Sequence, residues 1–216
     1  MNAIAPGCKS LEPLRAFCKS ERGFCLAELL IAALVLVPVS LVAFEMLDTV
    51  QRTALYQAEV HTVLDNTSAA MDTISRILRQ AGNDPAGSSV ECISIISDSA
   101  IRVRSDLTGS LGPASPDKGD PDGSTDDSGE DVVIRHNAAA QSIELVPSGG
   151  SAQTIASNIG SLSIRCLDRS GAITGTGSAA YEIAVELTGI GTVPDPRTGR
   201  LFRLPLKGHI RLAARG

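Results

Sequence analysis

The sequence predicts an α+β protein, a long N-terminal α-helix packed on an antiparallel β-sheet. Three observations lead there. An apolar run near the N-terminus is long enough for a helix that crosses a bilayer. An amphipathic stripe of helical period follows it as far as residue 81. After Pro85 that period gives way to short runs of alternating polarity, separated by Gly, Pro and Asp clusters. One helix followed by strands is the element order of an α+β fold, with the sheet laid on the second half of the helix. The chain therefore divides into a basic leader (1–23), a membrane helix (24–44), an amphipathic helical half (45–85) and a β-rich body (86–216) with an acidic loop at 106–131.

The leader carries Lys9, Arg15, Lys19 and Arg22 against Glu12 and Glu21. The whole chain is net −5, so residues beyond the leader are net −7. An acidic body does not suggest nucleic-acid binding. Aromatics make up 3% of the chain and Trp is absent, which argues against a stacking platform for single strands. The apolar fraction of 43% is enough for a core.

Phe24–Phe44 is 21 residues long, about 31 Å as a helix. Leu29 to Phe44 contains no charge. The basic residues before it predict a cytoplasmic N-terminus and place the C-terminal body outside. Glu28 stands at the head of this run, where a charge in lipid costs on the order of 3 kcal/mol. A secretory signal would end in a small-x-small site, but "EMLDTVQ" follows Phe44. A lipoprotein cut at Cys25 would need an apolar stretch before it, and the residues there are Glu21, Arg22, Gly23 and Phe24. The remaining reading is a cut before the apolar run.

The helical pattern continues through Val60, Leu64, Thr67, Met71, Ile74, Leu78 and Ala81, in alternating steps of four and three. Gly82, Asn83 and Pro85 end it. One helix over 24–81 is expected, bent at Pro38. The alternative is two helices broken near Pro38 or Glu45.

The body contains β-like runs at 90–96, 100–105, 131–136, 141–146, 161–167, 181–187 and 201–214. Ile101 and Val103 alternate with Arg102 and Arg104, and Tyr181, Ile183, Val185 and Leu187 alternate with Glu182 and Glu186. One face is buried and the other wet, as in an antiparallel sheet. Cys92 and Cys166 are the body's two cysteines. Export would make them a disulfide; the alternative is two buried thiols. Residues 106–131 are poor in apolar residues and read as a solvated loop. The competing reading is a calcium loop with oxygen ligands from Asp117, Asp120, Asp122, Asp126, Asp127, Glu130 and Asp131. "DPDG" begins like an EF-hand loop, but its twelfth position is Asp131 and not Glu. His61, His136 and His209 have no ligand or base at a telling spacing, and no GxSxG, P-loop or HExxH occurs. "GAITGTGSAA" (171–180) lies between strands and reads as a turn. The expectation is that the chain is not an enzyme.

The stretch "RGFCLAELLIAALVLVPVSL" resembles the processing site of type IV pilins and type II secretion pseudopilins. That pattern is Gly, the cut, an apolar residue that becomes N-methylated, three residues, Glu, and an apolar helix. Gly23, Phe24 and Glu28 match it in type and spacing. The 23-residue leader is longer than many, and Cys25 replaces a small hydroxyl residue common after the cut. "ISRILRQAGNDP" is similar to the end of the first helix in PilW-type minor pilins.

The resemblance implies a pilin-like fold and a minor pilin of a type IV pilus. It implies cleavage by a prepilin peptidase after Gly23 and methylation of Phe24. Glu28 would offer its carboxylate to the N-terminal amine of a neighbouring subunit during assembly. Partners would be the peptidase and other pilin or pseudopilin subunits. The calcium reading also draws on the resemblance, since some pseudopilins bind calcium in such loops. A minor pseudopilin of a type II secretion system, and a bitopic periplasmic sensor or binding protein with an uncleaved anchor, stay open.

Overall fold

The computed structural model describes residues 26–85, 87, 91–108, 120–127 and 129–212. It opens with one helix, α1, over Leu26–Gln80. Pro38 lies inside α1 without ending it, so the two-helix alternative is overturned. A proline removes one backbone donor, yet the helix runs on through it on both sides. The hydroxyl of Ser40 nearby donates to the Leu36 carbonyl at 2.8 Å.

The chain divides into two units at Val50 and Gln51. In the first, residues 26–50 are helical throughout, and all but half-buried Ser40 are exposed. The second unit holds the rest of α1 and the β-body.

In that second unit α1 is one-sided. Val63, Thr67, Ala70, Ile74 and Leu78 are buried, and Ala81 follows them just past the helix. The expected stripe named Leu64 and Met71, which are half-buried on the flank; the centre of the face is Val63 and Ala70. Small residues take the centre because the sheet backbone comes close there, as described below.

Nine strands follow among the described residues. β1 (Ile93–Ser97), β2 (Ala100–Arg104), β3 (Asp131–Asn137), β4 (Ser142–Pro147) and β5 (Gln153–Ser157) form one antiparallel meander in sequence order. β6 (Ile159–Leu167), β7 (Ile173–Thr174), β8 (Glu182–Pro194) and β9 (Leu201–Arg211) form a second antiparallel sheet, in the order β7-β6-β8-β9. The α+β class holds, with two sheets where one was expected. Every β-like run became a strand. β5 and β7 were missed: β5 is mostly exposed and lacks a clear alternation, and β7 has only two residues.

The chain changes sheets at Asn158, the one residue between β5 and β6, with φ 62°. Asn enters this left-handed region at lower cost than most residues. The junction is fastened on both sides. Ile159 N donates to Gln141 O at 2.8 Å, and Ile190 N donates to Asn158 O at 2.8 Å. At the far end of β6, Ile164 N donates to Asp98 O at 2.8 Å, in the turn between β1 and β2.

One core serves α1 and both sheets. Ala70, Ile74 and Leu78 meet Ile93, Ile101, Ile134 and Ile143 of the first sheet, and Ile159, Ile183, Val185 and Leu187 of the second, all buried. Alternation places them there: in β8, Ile183, Val185 and Leu187 are buried while Glu182, Ala184 and Glu186 are half-exposed.

The helix and the second sheet approach most closely at two glycines. A Cβ on Gly189 of β8 would collide with Thr67 Oγ1 and with Val63 Cγ1. A Cβ on Gly208 of β9 would stand 3.0 Å from Met71 Sδ. At Gly191, two residues further along β8, the nearest atoms would be 3.5 Å away, an ordinary contact. Gly189→Ala is therefore expected to destabilise the fold by about 1–3 kcal/mol through overpacking. Gly191→Ala should change stability by less than about 1 kcal/mol. Urea denaturation of the detergent-solubilised chain measures both; equal effects would contradict the close approach.

Candidate functional site

The first feature is the head of α1. Glu28 sits in its first turn, where a carboxylate complements the positive end of the helix dipole, and it is exposed. From Leu29 to Phe44 the surface is continuously apolar: Leu34 is 76% exposed and Phe44 68%. α1 is long and apolar enough to cross a membrane, and none of its most apolar window is buried. A contiguous apolar surface of this extent needs lipid or other apolar helices around it. Gly23 and Phe24, the other two residues expected here, lie outside the described residues.

The second feature is the acidic loop, where the structure sorts the expected ligands. Asp120, Asp122 and Asp126 are exposed, Asp127 is half-buried and Glu130 is buried. Asp117 lies outside the described residues. Asp131 begins β3 and is tied to two guanidiniums, with Arg102 Nε at 2.7 Å and Arg104 Nε at 3.6 Å.

Sequence reasoning passed over Asp106, which is fully buried and organises the loop. Its two oxygens accept from Asp122 N at 3.2 Å and Gly123 N at 2.8 Å. Its own N–H donates to Asn83 O at 2.7 Å, joining the loop to the chain just after α1. No local pattern marks Asp106, because its partners are 16 and 17 residues away. Glu130 Oε1 collects three donors: Leu107 N at 2.7 Å, Thr108 N at 2.6 Å and Thr108 Oγ1 at 3.2 Å. Two buried oxygens lack any partner, Asp127 Oδ2 and Glu130 Oε2. Burial pushes the Asp127 carboxyl above its ordinary range, and the charges of Glu130, Asp122, Asp126 and Asp106 push it further.

The cysteine expectation is corrected. Cys92, just before β1, and Cys166, in β6, are both buried in the core, and no disulfide joins them. Each is packed as a small apolar residue. Burial pushes the Cys166 thiol up, so little thiolate forms there.

Two of the three histidines lie in strands and one on the helix. His61 is on the exposed surface of α1. In β3, the Nε2 of His136 lies 2.9 Å from the carbonyl of Ile159, linking the two sheets. In β9, the Nδ1 of His209 lies 2.8 Å from Glu182 Oε1 on the neighbouring strand. That pair lies on the outer face of the second sheet, with the Glu186–Lys207 pair at 3.1 Å beside it. The shallow groove there measures about 240 Å³ and is lined by Arg165, Ala184, Lys207 and His209 among others. Cross-strand charge pairing accounts for these contacts.

Four carboxylates are held below their usual range by hydrogen bonds to the charged form. For Glu59 the main cause is the backbone N–H of Thr192, then the Thr192 hydroxyl. For Glu144 it is the Asn137 amide, then Arg135. For Asp168 it is the Ser170 hydroxyl, then the N–H of Ala172. For Asp195 it is the N–H of Arg197, then the Thr198 hydroxyl. Folded values below unfolded ones stabilise the protein above the unfolded carboxylate range, and this stability is lost as pH falls through the folded values. Asp127 has the opposite sign: its penalty is present at neutral pH and is relieved by acid.

The melting temperature of the detergent-solubilised chain should therefore fall on acidification below the ordinary carboxylate range. Glu59→Gln should flatten that fall, and Asp127→Asn should steepen it. Melting curves recorded across pH check both, and a reversed ordering of the two variants would refute the assignment. No family model matches the chain, and no curated protein matches it.

Proposed function

We propose that the chain is a minor pilin subunit. It is stored in the inner membrane with its N-terminus cytoplasmic, cleaved between Gly23 and Phe24 by a prepilin peptidase, methylated on Phe24, and drawn into a type IV pilus. The observation that carries this reading is the makeup of α1. A charge-free apolar stretch, exposed but for Ser40, begins one residue after a carboxylate and belongs to the same helix whose later residues seat a β-body. An ordinary membrane anchor has no use for Glu28, since a charge there costs free energy in lipid. An assembly helix does have a use for it: in a bundle of such helices, the carboxylate of one subunit meets the new N-terminal amine of another, and each neutralises the burial cost of its partner. Work is done by helix packing, with lipid contacts exchanged for subunit contacts.

Mass spectrometry of the membrane-extracted protein, from cells with an active prepilin peptidase, tests this directly. The expected N-terminus is N-methyl-Phe24. An intact Met1 would overturn the reading in favour of an uncleaved anchor. Glu28→Ala should still be cleaved. Breaking a buried pair costs on the order of 3 kcal/mol, so its incorporation into sheared fibres should fall roughly a hundredfold. Wild-type incorporation would remove the pairing role.

A further inference from the structure

We propose that the free edge of β9 takes up an extended strand of alternating acidic and apolar residues from a partner protein. β9 ends the second sheet, and among the described residues no strand pairs with its other side. Its charge is one-sided: from Arg197 to Arg211 there are five Arg or Lys and no Asp or Glu. The chain beyond the leader is net −7, so with that +5 removed the remainder is −12. Alternation puts the basic side chains on one face. Arg203, Lys207, His209 and Arg211 are exposed, whereas Phe202, Leu204 and Leu206 are half-buried on the other face.

The backbone follows the same parity. Leu212 N donates to Tyr181 O at 3.1 Å, one step beyond the Glu182–Arg211 pair. In an antiparallel ladder, bonded residues alternate with residues whose N–H and C=O point away from the partner. Arg203, Lys207, His209 and Arg211 therefore direct N–H and C=O groups out from the sheet edge. Pro205 shares their parity, so its missing N–H costs no bond to β8.

β8 shows what chemistry β9 accepts. Its run from Glu182 to Leu187 alternates half-exposed Glu182, Ala184 and Glu186 with buried Ile183, Val185 and Leu187. Lys207 Nζ meets Glu186 at 3.1 Å, and His209 Nδ1 meets Glu182 at 2.8 Å. The two arginines are not used in this way: Arg203 stands opposite Ile190, and Arg211 leans on the Tyr181 ring at 5.1 Å. A second acidic–apolar strand on the free side would bring carboxylates beside them and cover Leu204 and Leu206. The occupant is not the β9 of a second copy, since pairing would set basic residues against basic residues. Nor is it another strand of a second copy: β8 is already paired on both sides, and the edge strands β1, β5 and β7 carry no carboxylate. A polypeptide fits better than other polyanions, because it alone offers the backbone groups that this edge leaves open. The inference does not depend on the proposed role in pili.

The test uses the full chain in detergent and a fluorescent peptide with the β8 sequence YEIAVELT, residues 181–188, read by anisotropy. The wild type should bind it, and should bind a scramble that breaks the alternation about tenfold more weakly. Arg203→Glu combined with Arg211→Glu should weaken binding roughly tenfold, as two attractive pairs become repulsive. His209→Pro should also weaken it roughly tenfold by removing one outward N–H, while His209→Ala, which keeps that N–H, should bind nearly as the wild type does. Melting close to that of the wild type shows that these variants fold. No binding by the wild type would overturn the proposal. Equal binding of the scramble, or of an oligothymidylate, would do the same by reducing the edge to a general anion site. Undiminished binding in His209→Pro would refute it too, by placing the peptide away from this edge.

Discussion

The close seating of α1 on β8 and β9 is the contact on which the rest of the second unit depends. Two strands and a helix can share a thin interface only where side chains are small, and here Gly189 and Gly208 face Val63, Thr67 and Met71. That approach turns Ile74 and Leu78 into the middle of a core shared with both sheets. It also places Glu59 where its carboxylate receives the N–H and hydroxyl of Thr192, each at 2.7 Å. The long β8–β9 pair is thus held to the helix at three levels: Gly208 against Met71, Gly189 against Thr67, and Thr192 on Glu59. Thr67 is itself buried, and its hydroxyl donates to the Val63 carbonyl at 2.6 Å, so the polar atom facing Gly189 is satisfied within the helix.

The end of α1 is joined to the first sheet by backbone bonds. Gly82, at φ 73°, donates to Arg104 O at 2.9 Å, and Asn83 O accepts from Asp106 N. A left-handed glycine after the last helical turn is the usual way to redirect the chain and occupy orphan groups. Here Ala81 N donates to Leu78 O at 3.3 Å and Asn83 N to Gln80 O at 3.1 Å, so the turn itself occupies two of the last carbonyls. The acidic loop therefore starts from a rigid point, and Ser105 N donating to Glu130 O at 2.9 Å closes its neck. A polar, glycine-rich segment between two such anchors can carry buried carboxylates that a wholly solvated loop could not.

Much of this was legible in the sequence, and the failures have physical causes. The existence of α1, its end at Gly82 and every alternating strand follow from periodicity, which is a local property. The exact helical face was misjudged at Leu64, because hydrophobicity favours it, whereas Gly189 approaches the smaller Val63 and Thr67. That preference is set by glycines more than 100 residues away. The division into two sheets rests on Asn158, a single residue whose backbone angle no pattern announces. In the loop, sequence counts acidic residues but cannot rank them. Glu130 was named and is the buried centre; Asp106, its structural counterpart, was not. Asp131 looked like a ligand and is an ion-pair partner of two arginines. Export implied a Cys92–Cys166 disulfide, but the alternative of two buried thiols is what the structure has, because cysteine count and compartment do not fix the geometry between two positions.

The two stretches of α1 differ in what they need as surroundings. From Gln51 onward the helix has one buried face and is stabilised by its own chain. From Leu26 to Val50 nearly every side chain is exposed and most are apolar. That surface is long and apolar enough to cross a membrane. An anchor that only held the body to a membrane would be best made without Glu28. Retaining a carboxylate there lowers the stability of the lipid-embedded state relative to any state in which that charge is matched. Under the proposed function, that difference biases the subunit toward leaving the bilayer for a helical bundle. Processing and assembly would then be coupled through the electrostatics of one side chain, with no need for a separate signal.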